Sequence, residues 1–183
     1  MKNLTKSHIL SCFNNLMKEY PFEKITVEMI IKNSEVSKST FYRHYIDKFD
    51  VMNYSYVNFV EKMFEFNLCK NLKDVFIRIL ENAVQNSTRI KNAYAYNGMN
   101  SFTSFLHDYS CKKFEAFVAE TRDSKLTLEE KLRISIFCYG NVWIIKDFID
   151  NKIELSIDTI ADELWKSLPL TIQNLWYKQT EQV

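Results

Sequence analysis

Apolar residues at the start of the chain recur at helical spacing. Ile9, Phe13, Leu16, Met17 and Tyr20 fall at steps of four, three, one and three, which is one face of a helix over residues 4–20. Pro21 closes it, because a proline ring disfavours helix in the residue before it. Thr26 is placed to cap a short helix from Val27 to Asn33 with Ile30 and Ile31 inward. A break at Ser34-Glu35-Val36 follows, and Ser37 is a second cap for a helix running to about Tyr45. A long helix and two short ones, the last two joined by a three-residue turn, outline a helix-turn-helix.

Beyond Lys48 the pattern predicts longer helices. One spans about Asp47 to Cys69, with Met52, Tyr56, Phe59, Val60, Met63 and Phe64 on one side. Asn71 caps the next, to about Asn86, through Val75, Phe76, Ile79, Leu80 and Ala83. The stretch from Ser87 to Asn100 is aromatic but interrupted by Gly98, and another helix is expected from Phe102 to Thr121. Thr127 and Glu130 fit a capping box that opens a helix to about Asn151. That helix is apolar on two sides, so it is expected to be buried on two sides, one of them against another subunit. Ser156 caps a helix carrying Ile157, Ile160, Ala161, Leu164 and Leu168. Pro169 interrupts it before a short stretch from Leu170 to Lys178.

Composition supports long helices. Two glycines and two prolines in 183 residues leave little for the tight turns of a many-stranded sheet. An aromatic share of 15 % needs a core, an interface or a cavity to absorb it. The net charge of +1 does not announce a nucleic-acid partner, and residues 1–50 carry only a small excess, eight Lys/Arg against six Asp/Glu. Cys12, Cys69, Cys111 and Cys138 stand at no metal-ligand spacing and are expected as ordinary thiols. The first residues, MKNLTKSH, are polar and there is no long apolar run, so a cytoplasmic protein with no membrane association is expected.

Residues 22–52, FEKITVEMIIKNSEVSKSTFYRHYIDKFDVM, carry a more specific signal. Phe22, Thr26, Val27, Ile30, Val36, Ser37, Thr40, Phe41, Tyr42, Tyr45 and Lys48 stand at the spacing of a known pattern, and on them the segment resembles the DNA-binding domain of the TetR/AcrR regulators. The stretch GNVWIIKDFIDNK with SIDTIADELW is in turn similar to a subgroup that includes activators of dihydroxyacetone kinase operons. The resemblance implies an all-α fold: an HTH DNA-binding domain over 1–47, then a helical dimerisation and effector-binding domain over 48–183.

A recognition helix must be apolar toward its own domain and polar toward the major groove. Val36, Phe41 and Tyr45 supply the first side. Ser37, Lys38, Ser39, Thr40, Tyr42, Arg43 and His44 supply the second, while Thr26 and Lys48 stand at helix starts suited to phosphate. Plain capping for Thr26, a solvated charge for Lys48 and a surface histidine for His44 are the blander readings. Two departures stand out: Ile31 replaces a small residue, and Ser34-Glu35 replaces Ala-Gly, with Glu35 at a turn position that favours positive φ.

The resemblance also implies a homodimer, with Ile136, Gly140, Trp143, Ile157, Ile160, Leu164 and Leu168 as the expected interface and a palindromic DNA site as the target. Met63, Phe64, Tyr94, Tyr96, Phe102, Phe105, Phe117 and Tyr139 are pocket candidates for an apolar or aromatic effector; core packing is the other reading of the same residues. The expected function is a transcriptional regulator, read as a repressor released by a small molecule, although these residues do not separate repressor from activator. Catalysis, metal and cofactor are not expected: His8, His44 and His107 are scattered, and no phosphate-binding glycine loop occurs. The alternative from another class is a helical interaction module that has lost DNA binding.

Overall fold

A computed structural model describes residues 2–65, 69, 71–122 and 124–180. Among the described residues there are ten α-helices, a 3-10 turn (Phe22–Lys24) and no strand. The helices are α1 (Lys2–Glu19), α2 (Val27–Ser34), α3 (Lys38–His44), α4 (Lys48–Glu65), α5 (Leu72–Gln85), α6 (Ser87–Ala95), α7 (Phe102–Thr121), α8 (Leu128–Ile149), α9 (Ile157–Ser167) and α10 (Leu170–Thr180). The end expected for α4 near Cys69 falls partly outside the described residues. None of the described helices is long and apolar enough to cross a membrane.

The starts follow from local hydrogen bonding. Thr26, Ser37 and Ser156 each accept a backbone N–H three residues on, and Asn71 does the same through its carboxamide to Asp74. Thr127 and Glu130 form the full reciprocal box, at 3.2 Å from Glu130 N to Thr127 Oγ1 and 2.8 Å from Thr127 N to Glu130 Oε2. Arg122, at the end of α7, grips the same carboxylate at 2.9 and 2.6 Å. The Arg122 hydrogen bond first, then the Thr127 N–H, holds the Glu130 carboxyl down to about 2. A lowered folded value means this link is complete above the ordinary carboxylate range and is lost only as pH falls toward 2. Asn151 ends α8 in the left-handed conformation at φ 59°, which asparagine tolerates.

The chain divides into two compact units, one of residues 1–70 and 82–102, the other of 71–81 and 103–183. In the first, α1 packs against α2, α4 and α6. Ile9, Phe13, Leu16 and Met17 of α1 are buried together with Phe22, Ile25, Ile30, Phe41 and Tyr45. Phe22 is the hub of an aromatic cluster, edge-on to Phe13, Phe49 and Tyr96 at centroid distances of 6.5, 5.2 and 5.5 Å. In the second unit α8 is central in the core: Ile134, Phe137, Cys138, Val142, Ile145 and Ile149 are buried, and Phe137 meets Phe76 of α5 and Phe114 of α7.

Helix α6 is the element that periodicity does not reveal. The expected break at Gly98 lies beyond its end, where the glycine leaves room for the Tyr96 side chain. Two of its polar residues, Arg89 and Asn92, point inward. The Asn92 carboxamide oxygen accepts from Phe22 N at 2.6 Å, and its nitrogen donates to the carbonyls of Met17, at 3.0 Å, and Tyr20. One side chain thus ties α6 both to the end of α1 and to the 3-10 turn that leads into α2.

Candidate nucleic-acid interface

The turn between α2 and α3 is built as the sequence suggests, with strain where it departs from glycine. Glu35 takes φ 52° and ψ 27°, left-handed, and its side chain is exposed. A residue with a Cβ pays about 1–2 kcal/mol for that conformation. The preceding turn is fastened to α1, with the Ser34 carbonyl 3.1 Å from His8 Nε2 and the Asn33 carbonyl accepting from Cys12 Sγ at 3.5 Å. Ser34 itself is buried and donates to the Ile30 carbonyl at 2.7 Å. Glu35→Gly is therefore expected to raise stability by about 1 kcal/mol, since glycine takes φ > 0 without steric cost. Urea denaturation checks it; an unchanged midpoint would mean the turn carries no strain.

Helix α3 is anchored by its apolar side. Phe41 is fully buried, Tyr45 nearly so, and the Tyr45 hydroxyl donates to the Lys6 carbonyl at 3.0 Å. Burial pushes the Tyr45 phenol well above its ordinary value, so it stays a neutral donor. The Lys6 ammonium lies 3.5 Å from the Tyr54 ring centroid, which meets Tyr45 edge-on. With that side fixed, the other side faces solvent: Ser37, Lys38, Ser39, Tyr42 and Arg43 are exposed, and Thr40 and His44 are half-buried. Tyr42 stands edge-on against Phe41 with 49 % of its surface open. Ser37 Oγ accepts from Thr40 N at 3.1 Å, so this hydroxyl caps α3 as well as lying on its exposed side.

Thr26 caps α2, accepting from Met29 N at 3.2 Å, and is exposed. Glu28 occupies the first turn of the same helix, where its charge already offsets the dipole. Lys48 is committed elsewhere. Its ammonium donates to the carbonyls of Phe22, Glu23 and Ile25 at 3.0, 3.3 and 2.8 Å, using all three of its hydrogens, and lies over the Phe22 ring. Burial lowers its pKa despite the nearby carboxylates. Lys48→Met, which keeps the stem and removes the donors, should cost about 2 kcal/mol and loosen the approach to α2. A thermal melt equal to that of the wild type would show those bonds to be unimportant.

The remaining expected site residues are scattered. Met63, Tyr94, Tyr96 and Phe102 belong to the first unit, where Tyr94 and Phe102 pack edge-on at 5.5 Å and Tyr96 joins the Phe22 cluster. Phe105 stacks on Tyr109 and the exposed Tyr139 on His107, while Phe117 meets Trp176 at a tilt, all in the second unit. The Phe64 side chain lies outside the described part. Phe102 also stands in the wall of a small cavity of the first unit. His107 also approaches Ser135 at 2.9 Å and Asp108 at 3.0 Å, an arrangement that invites comparison with a hydrolytic triad. Ser135 lies within α8, where the neighbouring backbone N–H groups are spent on the helix and offer no oxyanion hole.

Of the expected dimer residues, Ile136, Gly140 and Trp143 are exposed on α8, whereas Ile160, Leu164 and Leu168 are buried within the chain and Ile157 is half-buried. Leu128, Leu132 and Tyr139 extend the exposed α8 face, continuing the apolar stripe that runs through Ile136 and Trp143. The α9 stripe is covered within the chain itself; periodicity alone does not say which of two partners covers it.

An exposed, basic-edged short helix held on a tri-helical unit, followed by a helical body, is the architecture of a helix-turn-helix transcriptional regulator. Comparison with known proteins agrees. Residues 70–169 match the TetR-type family described as a transcriptional regulator C-terminal region. The chain belongs to the TetR family of transcriptional regulators. The fold is similar to that of the dihydroxyacetone kinase operon activator DhaS, at 15 % identity and a TM-score of 0.60, over 92 % of this chain and 96 % of that one. It is also similar to a protein from Syntrophomonas wolfei str. Goettingen described as a TetR-family transcriptional regulator, at 18 % identity and a TM-score of 0.58, over 94 % and 97 %. No curated protein matches the sequence significantly.

Proposed function

We propose that the protein reads a palindromic operator as a homodimer, with residues 1–47 contacting DNA and residues 48–183 dimerising and receiving an effector. The observation that carries the DNA reading is the division of α3 into a buried Phe41–Tyr45 side and an open side bearing Lys38, Ser39, Tyr42 and Arg43. Lys and Arg reach guanine acceptors or phosphates, the short hydroxyls allow close approach, and Tyr42 offers a hydroxyl and a ring edge. Lys48 takes part by holding the segment before α2 in place, and Thr26 by presenting the start of that helix.

The dimer reading rests on α8. Leu132 and Ile136 are 61 % and 62 % exposed and Trp143 48 %, along one stripe of a helix whose opposite side is core. Beside it lies a groove of about 430 Å³ between α8 and the α9–Pro169 segment, with Asn141 in its wall. The Asn141 carboxamide oxygen is buried without a hydrogen-bond partner, a cost that a donor from a second copy would remove. Gly140 has open space in front of it, room for a close helix approach.

The regulator is taken as a repressor released by a small molecule; one structural neighbour is an operon activator, and a reporter gene behind the bound DNA reads the sign. The test of DNA reading is binding of the purified protein to its own upstream DNA across a salt series, beside Tyr42→Ala. Tight wild-type binding that weakens steeply with salt and is lost in the variant supports the proposal. Equal binding by the variant removes α3 from the contact.

A further inference from the structure

Within the unit of residues 1–70 and 82–102, a small cavity of about 30 Å³ lies against Arg89 of α6. Its guanidinium is largely out of water, and burial lowers its pKa. Nη1 donates to Asn14 Oδ1 at 3.2 Å and to Ser55 Oγ at 2.7 Å, both neutral groups. Among the described residues no carboxylate pairs with it, and its Nη2 and Nε groups have no protein acceptor. A shielded cation lacking a counter-charge is costly, and the cost falls when an anion arrives.

The rest of the cavity fits one kind of anion. Asn82 stands at its wall; its carboxamide oxygen is engaged by Asn86 at 3.0 Å, which leaves its NH₂ group to donate. Phe13, Met17, Met52 and Phe59 make an apolar wall. The volume is that of about two waters, which matches a carboxylate head. Met17 and Met52 are flexible enough to yield to a short tail. A dianion would leave its second charge facing hydrocarbon.

We infer that this cavity is an anion site for a short-chain carboxylate, with Arg89 forked onto the carboxylate and the methionines over its tail. The inference rests on the reading of the chain as a ligand-responsive regulator, and it names the class of ligand. It also changes that class, from the apolar or aromatic effector the sequence suggests to a small organic acid. Its place is equally specific: the Arg89 hydrogen bonds join α6 to α1 and α4, so an anion that drew the guanidinium away would loosen α1, to which the turn between α2 and α3 is fastened.

The full-length protein is titrated with propionate and butyrate, following melting temperature and calorimetric heat, with propionamide and chloride at equal ionic strength as controls. Both carboxylates are expected to raise the melting temperature with concentration, while the amide and chloride do not. Arg89→Met should weaken carboxylate binding about tenfold or more, and Arg89→Lys should retain part of it, since a point charge cannot fork. An equal response to propionamide or chloride, an unaltered response of Arg89→Met, or no wild-type response to either acid overturns the inference. If Arg89→Met does not fold, Asn82→Leu is expected to weaken binding in its place, and an unaltered response there counts against the site. DNA binding by the same preparation without ligand separates the two readings: intact DNA binding with no carboxylate response rejects the anion site alone.

Discussion

Ile136→Glu should turn the protein into a monomer and lower its affinity for a palindromic site about a hundredfold or more. Ile136 lies at the centre of the α8 stripe and is mostly exposed in the single chain, so the change leaves the fold of the chain intact. In a two-fold interface each substitution appears twice, and two carboxylates would face one another across buried hydrocarbon. Linking two half-site contacts gains about 10²–10⁴ in apparent affinity, and that gain vanishes with the dimer. Analytical ultracentrifugation with fluorescence anisotropy reads both effects. A variant that still sediments as a dimer would move the interface off α8. Gly140→Leu offers a gentler version, adding a side chain to open space in one chain and to a partner's path in the dimer.

Asn92→Ala should destabilise the protein by about 3 kcal/mol and weaken DNA binding. The carboxamide serves three backbone groups, the Phe22 N–H and the carbonyls of Met17 and Tyr20. Its loss leaves partly buried polar groups unsatisfied, each at about 1 kcal/mol or more. Asn92→Asp is the sharper substitution. An aspartate still accepts from Phe22 but repels both carbonyls, so it should be at least as harmful as alanine despite its similar shape. Circular dichroism melts decide this, and an aspartate variant as stable as the wild type would mean α6 does not hold the end of α1.

Residue spacing made most of this legible. The four Ser/Thr caps, the apolar stripes of α1 and α8 and the glycine-like turn at Glu35 are local features, set by neighbours within one helical turn, and each is visible in the chain. Helix α6 was not, because it is short, its Asn86 makes no side-chain cap and its inward residues Arg89 and Asn92 read as solvated polar positions. The role of Lys48 was hidden for the same reason: its partners lie 23–26 residues away. The aromatic pocket candidates are divided between the two units, and of them Phe102 stands in the wall of the cavity beside Arg89. Long-range contacts of polar side chains leave no periodic trace.

Selection from a random DNA library tests the central claim most directly. The expected result is enrichment of an inverted repeat whose half-sites lie about one helical turn apart, or a multiple of it, bound by the wild type and not by Tyr42→Ala. Recovery of no shared sequence, with binding that tracks only DNA length and salt, would contradict it.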